Sequence, residues 1–138
     1  MNQQQILDAL ASLTLFSDLD RPQLQAVAHT MSEESFTVGQ RILRHGFSGG
    51  GVYVIHEGDV AVRVDGEEVA SLGKGDFFGE ISLLLGEPPI ADIVATAPER
   101  ALQLAGPDLR AFLLAYPVVM YRMLQAVSRR LDRANRRG

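Results

Sequence analysis

The chain has 138 residues, 46% of them hydrophobic, enough for one globular domain with a substantial core. Cysteine is absent, which excludes disulfides, thiolate metal sites and cysteine nucleophiles. Net charge is −4 but unevenly spread: residues 1–117 hold seven Lys/Arg against sixteen Asp/Glu, whereas in residues 118–138 Arg122, Arg129, Arg130, Arg133, Arg136 and Arg137 face only Asp132.

Ile6, Leu7, Leu10 and Leu13 keep helical spacing and predict a short amphipathic helix. Asp20-Arg21-Pro22 reads as a helix start, with Asp as N-cap and Pro in the first turn. Leu24, Val27, Ala28 and Met31 give that second helix its apolar face. Helices are therefore expected over 1–35.

From Phe36 to Leu104 the pattern changes to short strands broken by glycine turns. Residues 45–51, HGFSGGG, read as a loop. Val52-Tyr53-Val54-Ile55 is apolar at every position and predicts a central strand buried on both faces. In VAVRVDGEEVASL, Asp65-Gly66 fits a two-residue type I′ turn, which sets Arg63 opposite Glu68 and Val62 opposite Val69. Further strands are expected near Ile90–Thr96 and Ala101–Leu104. Many short strands with close turns imply a sandwich or roll rather than a parallel sheet.

The C-terminal part, 106–138, returns to helix. Gly106-Pro107-Asp108 starts one helix, and Pro117 sits in the first turn of a longer one. On the longer helix Met120, Leu124, Val127, Leu131 and Ala134 step by 4, 3, 4, 3, an a/d seam. A homodimer through Met120, Leu124, Val127 and Leu131 is expected, the alternative being a face laid on the domain. The arginine-rich end reads either as a solvated helix face whose cations suit the negative C-terminal dipole, or as a weak contact to nucleic acid or acidic lipid. No apolar run approaches the ~18 residues of a membrane span, so a cytoplasmic chain without span or leader is expected.

Two phrases, VYVIHEGDV over 52–60 and FFGEISLL over 77–84, combine with the glycine-punctuated strands and terminal helices. Together they resemble the cyclic nucleotide-binding domains of the catabolite activator protein and of protein kinase A regulatory subunits. The resemblance covers nearly the whole chain. It implies a mainly β fold, a jelly-roll-type β-roll of eight strands with N-terminal helices and two C-terminal helices. It also implies a phosphate-binding cassette over 78–92, in which a short helix offers backbone N–H groups to a cyclic phosphate. By that resemblance Gly79, Ile81 and Ser82 supply backbone contacts and Glu80 accepts from the ribose 2′-hydroxyl.

The family pattern P-R-x-A-[ST]-V departs here. Pro88 and Ala91 match, but Pro89 stands at the arginine position, Ile90 follows, and Asp92 replaces Ser/Thr. Sliding the register does not help, because no Lys or Arg lies between Lys74 and Arg100. Losing a charge-assisted arginine–phosphate pair from a semi-buried site costs on the order of 3–5 kcal/mol, roughly a hundred- to several-thousand-fold in affinity.

His29, His45 and His56 are scattered, with no H-x-H pair, so a cupin-type metal centre is not expected. Ser82 lacks the nucleophile-elbow context, so no catalytic residue is expected. Relatives that regulate transcription carry a helix-turn-helix domain after the long helix, where this sequence stops, so specific DNA reading is not expected of it. The expected function is a non-enzymatic regulatory or sensor module with weak or no binding of cAMP or cGMP and no other cofactor. Alternatives are a working sensor that borrows a cation, Arg122 or another arginine of the C-terminal helix, and a ligand-free oligomerisation scaffold.

Overall fold

The computed structural model describes residues 1–46 and 50–137; Phe47, Ser48 and Gly49 of the expected 45–51 loop lie outside the described residues. Two helices come first, α1 (Gln3–Ala11) and α2 (Arg21–Thr30), joined through a 3-10 turn at Thr14–Phe16. Both begin with capping boxes. The Asn2 side chain accepts from the Gln5 N–H at 2.9 Å, and the Asp20 side chain accepts from the Gln23 N–H at 2.9 Å. In each, the glutamine carbonyl answers the cap residue's own N–H, so the first-turn donors are satisfied.

Eight strands follow among the described residues: β1 (Met31–Phe36), β2 (Arg41–Leu43), β3 (Gly51–Glu57), β4 (Val60–Val64), β5 (Glu67–Leu72), β6 (Phe77–Phe78), β7 (Asp92–Ala95) and β8 (Glu99–Ala105). They form two antiparallel four-stranded sheets, ordered β1-β8-β3-β6 and β2-β7-β4-β5. A short helix α3 (Glu80–Leu85) interrupts the strands, and α4 (Leu109–Ala115) and α5 (Pro117–Arg137) close the chain. This is the β-roll with helices at both ends that the sequence predicts. No single helix among the described residues is long and apolar enough to cross a membrane.

β3 shows why the roll needs an all-apolar central strand. Val52 and Val54 face outward and pack with Leu10, Phe16, Val27 and Val119 of the helical layer. Tyr53 and Ile55 face inward between the sheets, with Leu43, Val60, Phe78 and Ile93. Successive strand residues point to opposite faces, so both sets are buried at once.

Two details differ from the sequence pattern. The strands begin at Met31, not Phe36, with Met31 opposite Leu104 on β8. The charged segment Ser32-Glu33-Glu34-Ser35 hides this strand. Glu33 nevertheless fits there because it accepts from Arg100 at 2.9 Å and pairs with the N-terminal amine at 2.9 Å. The β4–β5 hairpin turns at Asp65-Gly66, both at positive φ, and Arg63 does face Glu68. Val62, however, pairs with Ala70 and not Val69, because a bulge lies between Val62 and Arg63. The shift sets Val60 directly opposite Leu72, and both are buried inside the roll. A bulge on an edge strand achieves this by shifting the register by one residue.

Candidate functional site

The expected cassette lies at the end of β6, where the chain leaves the roll and enters α3. Gly79 makes the turn at φ 95, a left-handed conformation that favours glycine. A Cβ there would run into the Gly51 carbonyl oxygen, so the cassette is seated directly on the start of β3. Leu83 holds the other side of α3 down, packing on the helical layer and against Gly106. Gly86, at φ 69, ends the helix, and its N–H donates to the Ser82 carbonyl.

Glu80 is turned into the protein and is only 3% exposed. Burial pushes its carboxyl up from the ordinary carboxylate range, and Arg130 offsets part of that. Arg130 comes from α5. Its Nη1 lies 3.7 Å from Glu80 Oε1, its Nη2 donates to the Phe77 carbonyl at 2.6 Å, and its guanidinium sits 4.5 Å above the Phe77 ring. Arg122, the arginine that the sequence singles out, is instead committed to Asp18, at 2.7 and 3.0 Å.

The second half of the cassette departs from a phosphate grip in space as well as in sequence. Pro89 is buried, and its carbonyl accepts from the Gly46 N–H at 2.8 Å. Asp92 is engaged within the protein: its carboxylate accepts from the His45 N–H at 2.8 Å, and its register partner on β4 is Arg63. Ile90 is exposed and Ala91 half-buried. Ile81, Leu84 and Leu85 of α3 also point to solvent. Gly79 thus meets the start of β3 and Glu80 meets Arg130, whereas the side chains of Ile81 and Ile90 turn to solvent.

The chain matches the cyclic nucleotide-binding domain family over residues 33–116, more than half its length. The chain belongs to the cyclic nucleotide-binding domain family. It is 33% identical over 113 residues to a Drosophila melanogaster cAMP-dependent protein kinase type II regulatory subunit, covering 79% of this chain and 29% of that one. It is 36% identical over 100 residues to a cGMP-dependent protein kinase of Caenorhabditis briggsae, covering 68% of this chain and 13% of that one. The chain therefore spans less than a third of the length of these relatives. Among solved structures it resembles the regulatory subunit of a cAMP-independent protein kinase A from Trypanosoma cruzi bound to guanosine, with TM-score 0.77 and 27% identity over 91% of this chain and 46% of that one. A Trypanosoma brucei regulatory subunit variant, bound to cAMP, has three substitutions, one of which introduces an arginine; it is 29% identical over 90% of this chain and 46% of that one, with TM-score 0.76.

Arg130, the arginine beside Glu80, arrives from a helix fifty residues downstream and already binds protein groups. Sequence spacing gives no sign of that contact, because only the packing of α5 on the body brings Arg130 to Glu80. Among the described residues no three His, Asp or Glu side chains gather in a way that could hold a metal ion.

On α5 the seam is split. Val127 packs with Ala126, Val119 and Met123 against the helical layer. Met120, Leu124 and Leu131 stay 38%, 58% and 63% exposed.

Proposed function

We propose that this chain is a non-catalytic, ligand-sensing regulatory module whose cassette favours a neutral nucleoside over cAMP or cGMP. The observation that carries the reading is Pro89, buried and tied through its carbonyl to Gly46, in the place where the family pattern sets the phosphate-gripping arginine. Glu80, buried beside Arg130, is of the residue type that accepts from ribose hydroxyls, a role that needs no phosphate. The guanosine-bound Trypanosoma cruzi subunit supports the idea that this fold accommodates an uncharged ligand, and the arginine-bearing Trypanosoma brucei variant bound to cAMP agrees with the charge argument.

A second reading has one observation in its favour. Arg130 lies beside Glu80, so a cyclic nucleotide sensor could draw its cation from α5. Against it, Arg130 would have to give up the Phe77 carbonyl, and two charge-assisted contacts would be exchanged for one set of new ones. In either case α5 is attached to the cassette through Arg130, and its exposed residues Met120, Leu124 and Leu131 suit pairing with a second copy. Ligand occupancy at Glu80 is then coupled to the face that mediates a homodimer. A cytoplasmic setting fits this role.

Calorimetric titration with guanosine, adenosine, cAMP and cGMP tests the reading. The expected result is saturable binding of a nucleoside and cyclic nucleotide affinities of ~1 mM or weaker. Tight, stoichiometric binding of cAMP or cGMP supports the Arg130 reading instead. Silence toward all four supports a ligand-free scaffold.

A further inference from the structure

Beside the cassette, at the start of β3, lies a polar pair to which the family pattern gives no role. Tyr53 and Gln103 are register partners on β3 and β8, and Gln103 Nε2 donates to the Tyr53 hydroxyl at 3.1 Å. The Tyr53 ring is fixed. It stacks on Phe78 with centroids 5.1 Å apart and planes 14° apart, and the Phe36 edge meets it at 5.9 Å. Phe78 immediately precedes Gly79 and Glu80, so the hydroxyl is held in a set relation to the cassette.

Gly50 lies over this pair and is exposed. A Cβ there would come within 2.9 Å of Gln103 Nε2 and 3.8 Å of the Tyr53 hydroxyl oxygen. Glycine therefore leaves the amide reachable from outside. The next residue, Gly51, is the one whose carbonyl abuts Gly79. The pair thus sits next to the cassette's first turn, with Tyr53 the register partner of Phe78.

The hydrogen-bond inventory suits a neutral ligand. The Tyr53 hydroxyl accepts from Gln103 and keeps its own proton to donate; the amide keeps a second N–H. Burial also disfavours ionising the phenol, which preserves that donor. Two neutral donors match the lone pairs of a hydroxyl oxygen but supply no countercharge to a phosphate.

We infer that Tyr53 and Gln103 form a specificity-determining pair that binds the 5′-oxygen of a nucleoside ribose, in place of the charged grip that the cassette lacks. The inference rests on the nucleoside reading above.

The test is a cycle between protein and ligand. Guanosine and adenosine, each with its 5′-deoxy analogue, are titrated against wild type, Tyr53→Phe and Gln103→Leu. Tyr53→Phe keeps the stacked ring, and melting curves confirm that each variant folds. In wild type, loss of the 5′-hydroxyl should weaken binding ~10-fold, the scale of one neutral hydrogen bond. Each variant should bind the parent nucleoside ~10-fold more weakly and should not distinguish it from the 5′-deoxy analogue. Variants that bind the nucleosides as wild type does, or that still lose ~10-fold on removal of the 5′-hydroxyl, overturn the pair's role alone. A wild type that binds no nucleoside overturns this inference together with the nucleoside reading.

Discussion

Glu99 opens β8 with its carboxylate inside the roll, 2% exposed and without a hydrogen-bond partner on either oxygen among the described residues. Burial first, and then the nearby charge of Asp59, push its pKa up to about 7 from 4.5. The folded state therefore holds a proton that the unfolded chain releases more readily. The stability that proton supplies is complete below the unfolded value of 4.5 and is lost as pH rises through about 7. The melting temperature should fall between about pH 5 and about pH 8, and Glu99→Gln should flatten that fall and melt higher than wild type at the upper end. A Glu99→Gln profile that keeps the wild-type slope would contradict the assignment. Residues of this kind also mark what the sequence reveals. Pro89 in place of a cation is plain from the letters alone. That the Asp92 carboxylate serves the His45 N–H is not, since Asp92 opens β7 while His45 lies in the turn after β2, and the two meet only through the β2–β7 pairing.

The long helix shows the same division at the level of an element. Its existence follows from Pro117 and the apolar spacing, but the heptad count assigns Val127 to the seam whereas the structure packs it on the body. A straight helix has 3.6 residues per turn, so Val119, Met123, Ala126, Val127 and Arg130 share the face that meets the domain. Met120, Leu124 and Leu131 lie on the flank beside it, exposed. If that flank pairs two copies, Leu124→Glu should convert a dimer to a monomer in light scattering at tens of micromolar (the order suited to a short helical seam). A wild type already monomeric at that concentration removes the dimer. Arg130 is the other contribution of α5. Arg130→Ala removes its hydrogen bond and ring contact and leaves Glu80 buried without its cation. The expected loss is on the order of 2–4 kcal/mol in urea denaturation. It should shrink in the Glu80→Gln background, where no buried charge is orphaned; equal losses in both backgrounds would mean that Glu80 does not depend on Arg130.

For the whole molecule, glycine-punctuated strands and the both-faces-apolar β3 are enough to read a sandwich or roll between helices, and the family resemblance narrows it to a β-roll. The strand order β1-β8-β3-β6 carries no local signature, because β1 and β8 pair across almost the whole roll. β1 stayed hidden because its Glu33 is matched by charges that lie far away in sequence, at Met1 and Arg100. The site divides in the same way: the turn at Gly79 and the missing arginine are local, while Glu80–Arg130 and Tyr53–Gln103 are products of the closed roll. We propose that the cassette keeps the Gly79 turn and the Glu80 carboxylate but lacks the charge that holds phosphate. The direct test is the calorimetric affinity for cAMP of the Pro89→Arg, Asp92→Thr double variant. Arginine restores a bidentate fork, and threonine keeps an acceptor for the His45 N–H while removing a carboxylate. The double variant should gain at least ~10-fold over wild type, about 1.4 kcal/mol, and the gain should diminish with added salt. A double variant with an unchanged melting temperature and no gain in cAMP affinity would contradict it.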